Sequence, residues 1–175
     1  ADAVPLKLPP RVDVKPVSTA TPGLLRRRAA AVHDDTDPNI LTSEIPMIFG
    51  PHDPLEFRRD GVQHGVYRKL KQGGYALESR LDLHRMTVEE ARDAVFQFIQ
   101  DCYAHDLRTL LILHGKGERS ATPAKLKNGV AHSLKMLESV QAYASAQPQH
   151  GGLGAVYVLL RKSERSKQEN AKKYR

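Results

Sequence analysis

From residue 81 onward, apolar residues first recur at every second position and then at every third or fourth position. The first spacing is typical of a strand and the second of a helix. Leu81 and Leu83 alternate with Asp82 and His84, so the pattern predicts a strand with one apolar and one polar face. A stripe at helical spacing then recurs at Val88, Ala91, Val95, Phe98 and Cys102. The two spacings together predict a strand that is followed by an amphipathic helix.

A second strand and a second helix follow the first pair. The segment 107–113 is almost uninterrupted apolar sequence, as expected of a strand that is covered on both faces. Thr122 and Pro123 suit the N-cap and the first position of a helix. Its buried stripe would consist of Leu126, Val130, Leu134 and Leu137. Residues 140–144 indicate a weak strand and residues 155–160 a strong one, so the predicted order is β-α-β-α-β-β, an α/β fold.

The residues that precede this region have a different character. Nine of the eleven prolines lie at or before Pro54, and residues 1–54 lack sustained periodicity. This stretch therefore predicts an extended or disordered arm. Residues 55–76 predict a basic helical segment that docks on the domain. One apolar face of that helix would be formed by Val62, Val66 and Leu70.

Charge is concentrated on either side of the predicted domain, which spans residues 77–162. The chain carries +7 overall; residues 61–80 contribute +3, residues 81–160 are neutral, and residues 161–175 contribute +5. A neutral body with basic flanks, including a basic tail at 163–175, fits a polyanion such as nucleic acid. A charged tail that is merely solvated explains the charge equally well.

Other features of the sequence exclude several protein classes. The chain has no run of about 18 apolar residues, so no membrane span is expected. No signal segment opens the sequence, and the single Cys102 excludes an internal disulfide and fits a reducing compartment. We therefore expect a cytoplasmic protein without a membrane partner.

Two histidines stand at the ends of the first two predicted strands. A strand, a helix and a second parallel strand form a right-handed crossover, so His84 and His114 should emerge at the same edge of the sheet. Asp82 lies two residues before His84 on the same face of its strand, and it can fix the tautomer of the imidazole. Such a histidine could take a proton from a nucleophile or give one to a leaving oxygen.

The loop 114–117, His-Gly-Lys-Gly, supplies groups that suit an anion. Its glycines let the backbone approach a phosphate, and Lys116 adds a positive charge. The pattern is not a Walker loop, so ATP hydrolysis is disfavoured. Gly152 and Gly154 could contact a phosphate or simply form a turn. The two histidines and Asp82 could also ligate a metal, although no cysteine pair or His-Glu-x-x-His pattern supports a tight zinc site.

These motifs resemble those of the Smr family, the small MutS-related domain. Residues Leu81–Thr87 match its Leu-Asp-Leu-His-x-x-Thr motif, and His114–Gly117 match its His-Gly-x-Gly loop. Gly152–Gly154 resemble the Gly-x-Gly that precedes its final strand. The resemblance covers roughly residues 78–162. The segment Gly61–Leu70 is similar to the region upstream of stand-alone bacterial Smr domains.

The resemblance implies a two-layer α/β sandwich with a mixed four-stranded sheet, like the carboxyl-terminal domain of bacterial translation initiation factor three. It also implies endonuclease activity on DNA or RNA, with Asp82, His84 and His114 as the catalytic residues. Arg85 stands where many relatives have glycine, which makes this turn more basic. The residues expected to contact phosphate or nucleic acid are Arg85, Gly115, Lys116, Gly117, His64, Arg68, Lys69, Gly152 and Gly154.

Three functions agree with these features. The first is an endonuclease that makes single-strand nicks in DNA or cleaves RNA, and the second is a non-catalytic module that binds DNA, RNA or a ribosome. The third is an enzyme acting on a small phosphate compound, which would not need the basic flanks. We expect no tightly bound cofactor and no metal ligands, although a divalent cation such as Mg²⁺ is compatible with the motifs.

Overall fold

The computed structural model describes residues 39–41 and 44–174 of the chain. Its strands are β1 (Glu56–Arg58), β2 (Ser79–Asp82), β3 (Thr109–Leu113), β4 (Val140–Ser145) and β5 (Ala155–Leu160). Its α-helices are α1 (His64–Lys71), α2 (Val88–Ala104), α3 (Lys125–Met136) and α4 (Glu164–Lys173). Two short 3₁₀ turns, Pro148–His150 and Gly152–Gly154, connect β4 with β5.

The strands in the described part of the chain form one mixed sheet in the order β1-β4-β5-β3-β2. Strands β2 and β3 run parallel, and the other neighbouring pairs are antiparallel. The predicted α/β fold with a mixed sheet is therefore confirmed. The prediction of four strands is one short, because Glu56–Arg58 adds a fifth strand beside β4. Three residues are too few for a recognisable alternation, so the sequence pattern misses β1.

Helices cover both faces of the sheet. Helices α2 and α3 pack on one face, where Ile99 and Leu134 meet Ile112 in the main core. Helix α1 packs on the other face, where Leu70 contacts a smaller apolar cluster that includes Tyr157. This helix lies within residues 55–76, where the sequence predicted a helical segment, and it forms a layer behind the expected two. All six residues of β5 are buried as a result.

The start of α3 differs from the prediction. Thr122 and Pro123 do not begin the helix; it begins at Lys125, and its N-cap, Ala124, has a left-handed backbone with φ of 59° and no side-chain cap. Gly117 approaches this residue closely, since a Cβ at Gly117 would lie 2.7 Å from the Ala124 nitrogen. The glycine loop thus presses on the residue before the helix.

The predicted arm, 1–54, lies largely outside the described residues. Its last part is described and runs across α3 without forming a helix or strand. The side chain of Asn128 accepts hydrogen bonds from the backbone N–H groups of Ile48 and Phe49, at 2.9 and 2.8 Å, and donates to the Phe49 carbonyl at 2.7 Å. We call residues 44–53 the strap, because these bonds tie it to the domain.

The basic tail contains a helix that the sequence analysis did not predict. Helix α4 is capped by Ser163, whose hydroxyl accepts a hydrogen bond from the Ser166 N–H at 3.1 Å, and none of its residues is buried. A helix without an apolar stripe gives no periodic signal. Within the described ranges, no helix is long and apolar enough to cross a membrane.

Candidate functional site

The carboxyl ends of β2 and β3 form the edge at which most of the predicted site residues meet. Asp82 pairs with Leu113 across the two parallel strands, and the Leu83 N–H donates to the Leu113 carbonyl at 2.8 Å. A histidine follows the end of each strand: His84 lies just beyond β2, and His114 lies just beyond β3. The crossover expected from the sequence therefore brings both imidazoles to one edge.

Asp82 and His84 form a direct pair. One carboxylate oxygen of Asp82, Oδ1, accepts the His84 backbone N–H at 2.9 Å and lies 2.5 Å from His84 Nδ1. The backbone bond and then the imidazole bond from His84 hold the pKa of the Asp82 carboxyl below its usual value. A carboxylate at Nδ1 keeps the proton on that nitrogen and leaves Nε2 as the acceptor. Both side chains are more than half exposed, so Nε2 can reach a solvent-borne substrate.

His114 lies in the opposite environment. It is only 3% exposed, and its Nδ1 donates to the Gly115 carbonyl at 2.6 Å. Burial lowers the pKa of His114 to about 4, and the Lys127 ammonium adds to this effect. His114 is therefore neutral near pH 7. Its Nε2 atom is buried and has no hydrogen-bond partner among the described residues.

The loop that follows His114 is shaped by one carbonyl. The Gly154 carbonyl accepts the N–H groups of His114 and Gly115, at 3.0 and 2.8 Å. Gly115 and Gly117 both have positive φ, 76° and 75°, which a residue with a side chain rarely adopts. Within the described chain, the N–H groups of Lys116 and Gly117 donate to no other group. The loop thus presents two amides and one ammonium at the edge of the sheet.

Comparison with known proteins agrees with this geometry. The family model described as the Smr domain matches residues 81–161. The chain is 43% identical over 164 residues to a protein of Escherichia coli strain K12 named "Probable DNA endonuclease SmrA", covering 90% of this chain and 88% of that protein. The chain belongs to the Smr family.

Two further proteins extend the comparison. The crystal structure of YdaL, a stand-alone small MutS-related protein from Escherichia coli, superposes with a TM-score of 0.64 and 48% identity, covering 71% of this chain and 96% of that one. "Ribosome rescue factor SmrB" of Photobacterium profundum is 30% identical, covering 71% of this chain and 68% of that protein. The resemblance stated from the motifs is thus confirmed.

The remaining glycines of this Smr domain shape a turn. The N–H of Gly152 donates to the Gln147 carbonyl at 3.1 Å, and the N–H of Gly154 donates to the Gly151 carbonyl at 3.1 Å. Both amides are therefore already used within the turn. Gly154 also lies close to the loop, since a Cβ on it would be 3.4 Å from the Gly115 Cα. Gly154 thus positions the Smr loop by its backbone, whereas Gly152 serves only the turn.

Arg85 and Lys116 place positive charge beside the two histidines. Arg85 has φ of 63°, a left-handed conformation that costs a non-glycine residue about 1–2 kcal/mol. The Met86 N–H donates back to the Leu83 carbonyl at 3.1 Å, so Arg85 sits in a tight turn. Glycine suits this position sterically, whereas arginine adds a cation. Lys116 Nζ lies 3.9 Å from Glu118.

Three of the predicted nucleic-acid contacts lie away from this edge. His64, Arg68 and Lys69 belong to α1, on the other face of the sheet from α2 and α3. Lys69 Nζ stacks over the Tyr75 ring at 4.6 Å from its centre. The structure therefore does not bring these three side chains together with His84 and His114.

Lys127 is a buried cation of the Smr domain that the sequence analysis missed. It is fully buried, and its Nζ donates to the carbonyls of Pro51, at 3.2 Å, and Asp53. Burial lowers the pKa of Lys127. The strap therefore holds the charge that faces His114. No local signal could reveal this role, because the acceptors are backbone carbonyls of a segment without periodicity.

The three residues considered as metal ligands do not form a metal-binding group. Asp82 and His84 are adjacent, but His114 is buried and uses Nδ1 on its own loop. Within the described ranges, no cluster of three or more histidine, cysteine, aspartate or glutamate side chains is arranged to hold a metal ion.

Proposed function

We propose that this Smr-family chain is an endonuclease that nicks a single strand of DNA or cleaves RNA at the edge formed by Asp82, His84 and the loop 114–117. The observation that carries the proposal is the exposed Asp82–His84 pair. Its carboxylate lies 2.5 Å from Nδ1, and the imidazole stands beside the amides of a positively charged loop.

The pair would perform proton transfer. With Asp82 holding the proton on Nδ1, His84 Nε2 can accept a proton from an attacking water or from a ribose hydroxyl. The same nitrogen, once protonated, can give the proton to the leaving oxygen. Its position favours this role, because a Cβ on Gly115 would lie 3.6 Å from His84 Nε2.

The loop would stabilise the phosphate. The N–H groups of Lys116 and Gly117, together with the Lys116 ammonium, can bind the charge that develops on the phosphate oxygens. Arg85, next to His84 in the chain, adds a second cation. His114, neutral at pH 7, would shape the loop through its bond to the Gly115 carbonyl and hold the site without donating a proton.

The relatives support nucleic acid as the substrate. One relative is named a probable DNA endonuclease, and others are named ribosome rescue factors. The second group also favours an alternative, a module that binds RNA or a ribosome through the same edge without cleaving. A divalent cation such as Mg²⁺ would serve either function by binding phosphate rather than a protein site.

The test uses His84→Ala, with His105→Ala as the control. Both histidines are exposed, but His105 caps α2 and accompanies no carboxylate pair at the sheet edge. We expect His84→Ala to slow the cleavage of supercoiled plasmid or labelled RNA by roughly 10²–10⁴-fold. The control should cleave like the wild type, although it removes the bond from His105 Nδ1 to the Asp101 carbonyl and should unfold at a slightly lower temperature. Both variants should be fully folded at the assay temperature.

Each protein would be assayed with and without a chelator, and binding would be measured in parallel. Cleavage by a correctly folded His84→Ala protein at the wild-type rate would reject the catalytic role. Binding without cleavage by the wild type would instead favour the non-catalytic module.

A further inference from the structure

A cavity of about 340 Å³ opens beside the loop 114–117, between the first turns of α2 and α3. Its apolar wall includes Met86, Val88 and Leu126, all of which are half-buried. The imidazole of His114 forms part of the lining. The volume lies at the small end of the range for ligand pockets, about 300–1,000 Å³. The cavity is therefore large enough for one small ligand.

The cavity also has polar lining groups, which include Ser120 and Lys127; the Lys127 ammonium already donates to the carbonyls of Pro51 and Asp53. His114 is 3% exposed, yet its Nε2 has no hydrogen-bond partner in the described chain. Because Nδ1 carries the proton, Nε2 is an acceptor that awaits a donor. The first turn of α3 adds backbone N–H groups, since no side chain caps this helix. An occupant should thus have both a donor for His114 Nε2 and acceptors for these N–H groups.

The apolar wall argues against a bare anion as the occupant. An inorganic phosphate needs donors on all sides, whereas the Met86, Val88 and Leu126 side chains offer none. A nucleobase combines the required properties, because it has two apolar faces and an edge of donors and acceptors. The ammonium of Lys125, at the rim, would attract the phosphates attached to such a base.

The cavity adjoins the proposed cleavage point. Gly115 lines the cavity on one side and faces His84 on the other. A phosphodiester held at His84 and Lys116 would therefore have a neighbouring nucleoside within reach of the cavity. A base that is stacked and paired in a duplex cannot enter such a cavity, so the nucleotide must be unpaired.

We propose that this cavity binds one unpaired nucleobase next to the bond that is cleaved. The preferred substrate is then a nucleic acid with an unpaired nucleotide at the cleavage point, such as a single strand or a bulge. The position of the base relative to the cleaved bond rests on the proposed endonuclease function. Binding of the base does not.

The binding test uses a tryptophan reporter, because the chain contains no tryptophan. Met86→Trp places one at the cavity wall, and Gln97→Trp places one on the exposed surface of α2 as a control. The probes are a short adenine-containing single strand, the same strand with abasic sugars, and inorganic phosphate. We expect the adenine-containing strand to quench the fluorescence of the Met86→Trp protein. This strand should also bind at least about 10-fold more tightly than the abasic strand.

The cleavage test compares three duplexes: fully paired, with one unpaired adenosine, and with an abasic site at that position. The wild type should cleave the duplex with the unpaired adenosine at least about 10-fold faster than the other two duplexes. Val88→Phe, which fills the cavity, should remove that preference. If Val88→Phe misfolds, the abasic duplex still decides, because it removes the base and leaves the protein unchanged.

The outcomes separate the two proposals. Equal affinity for the base-bearing and abasic strands, or equal quenching by inorganic phosphate, would show an anion site and overturn the nucleobase proposal. Base-dependent quenching in a protein that cleaves nothing would support the base pocket and reject only the endonuclease.

Discussion

His84 and His114 end neighbouring parallel strands, yet they occupy opposite environments. The side chain of His84 is 59% exposed and is held by a carboxylate, whereas His114 is 3% exposed and is held by a backbone carbonyl. The register pairs Asp82 with Leu113, so His84 lies one residue further beyond the paired strand ends than His114 does. The two histidines therefore differ in the chemistry available to them. A strand-end histidine can transfer protons only where the fold leaves it accessible to both solvent and substrate.

The largest expected difference between the two histidines concerns acid stability. The pKa of His114 is about 4 in the folded protein and about 6.5 in the unfolded chain, so unfolding takes up a proton between these values. The stability contributed by neutral His114 is complete above pH 6.5 and is lost as the pH falls toward 4. We expect a loss of about 3 kcal/mol in the free energy of unfolding from this residue.

Urea titrations at pH 7 and pH 4 would measure this loss. The variant His114→Asn keeps a donor near the Gly115 carbonyl and does not titrate, so its stability should fall less than that of the wild type. Asp82 also favours the folded state less as pH falls, but it is present in both proteins. Identical pH dependence in the two proteins would contradict the assignment of a depressed pKa to His114.

The next expected effect concerns the exposed pair. Asp82→Asn keeps the shape of the side chain but removes the charge that holds the proton on His84 Nδ1. We expect single-turnover cleavage to slow roughly 10-fold or more. This loss is smaller than the roughly 10²–10⁴-fold contribution of a general base, because the imidazole itself remains. The free energy of unfolding should change by less than about 0.5 kcal/mol, because both side chains are exposed.

The matched control is Asp101→Asn, which removes an exposed carboxylate of α2 that accepts a hydrogen bond from Gln97. It should leave cleavage unchanged. If Asp82→Asn instead lowers stability and leaves the rate intact, the pair would have a structural role, and the contrast with His114 would disappear.

The smallest expected effect separates strain from charge at Arg85. Arg85→Gly relieves a left-handed backbone and should raise the free energy of unfolding by about 0.5–1 kcal/mol, the relieved strain less the flexibility of glycine. If Arg85 contacts one phosphate, the variant should also bind duplex DNA with a weaker salt dependence. The slope of the logarithm of the binding constant against the logarithm of the salt concentration should become shallower by about 0.9.

Arg85→Gln is the control, since it removes the charge and keeps the strain. It should reproduce the change in salt dependence without the gain in stability. An unchanged salt dependence in both variants would show that Arg85 does not contact the phosphate backbone.

Local patterns were sufficient to predict the first half of the site. Asp82 and His84 are two residues apart in the predicted strand, so the sequence alone predicts that they share one face. Their direct contact arises because β2 ends at Asp82 and the chain turns at Arg85, which the strand pattern does not predict. Thr87 and Glu90 form both hydrogen bonds of a capping box at the start of α2, and their spacing in the sequence is a local signal of such a cap.

The burial of His114 could not be predicted, because distant segments create it. The first turns of α2 and α3 and the strap meet only in the folded chain. Lys127 lies among these segments, and its acceptors belong to the strap, for which the sequence predicted an extended or disordered arm. Long-range packing of this kind leaves no periodic signal, so the sequence suggested two similar histidines where the fold makes two different ones.

The Gly154 carbonyl, which receives the N–H groups of His114 and Gly115, constrains the number of residues that can separate β4 from β5. An insertion or deletion within 146–154 would move this carbonyl and release both amides, so the length of this turn should be nearly fixed among functional relatives. Residues 118–123 are exposed and carry no comparable bond to the sheet. Changes in chain length during evolution should therefore accumulate there, on the far side of the glycine loop.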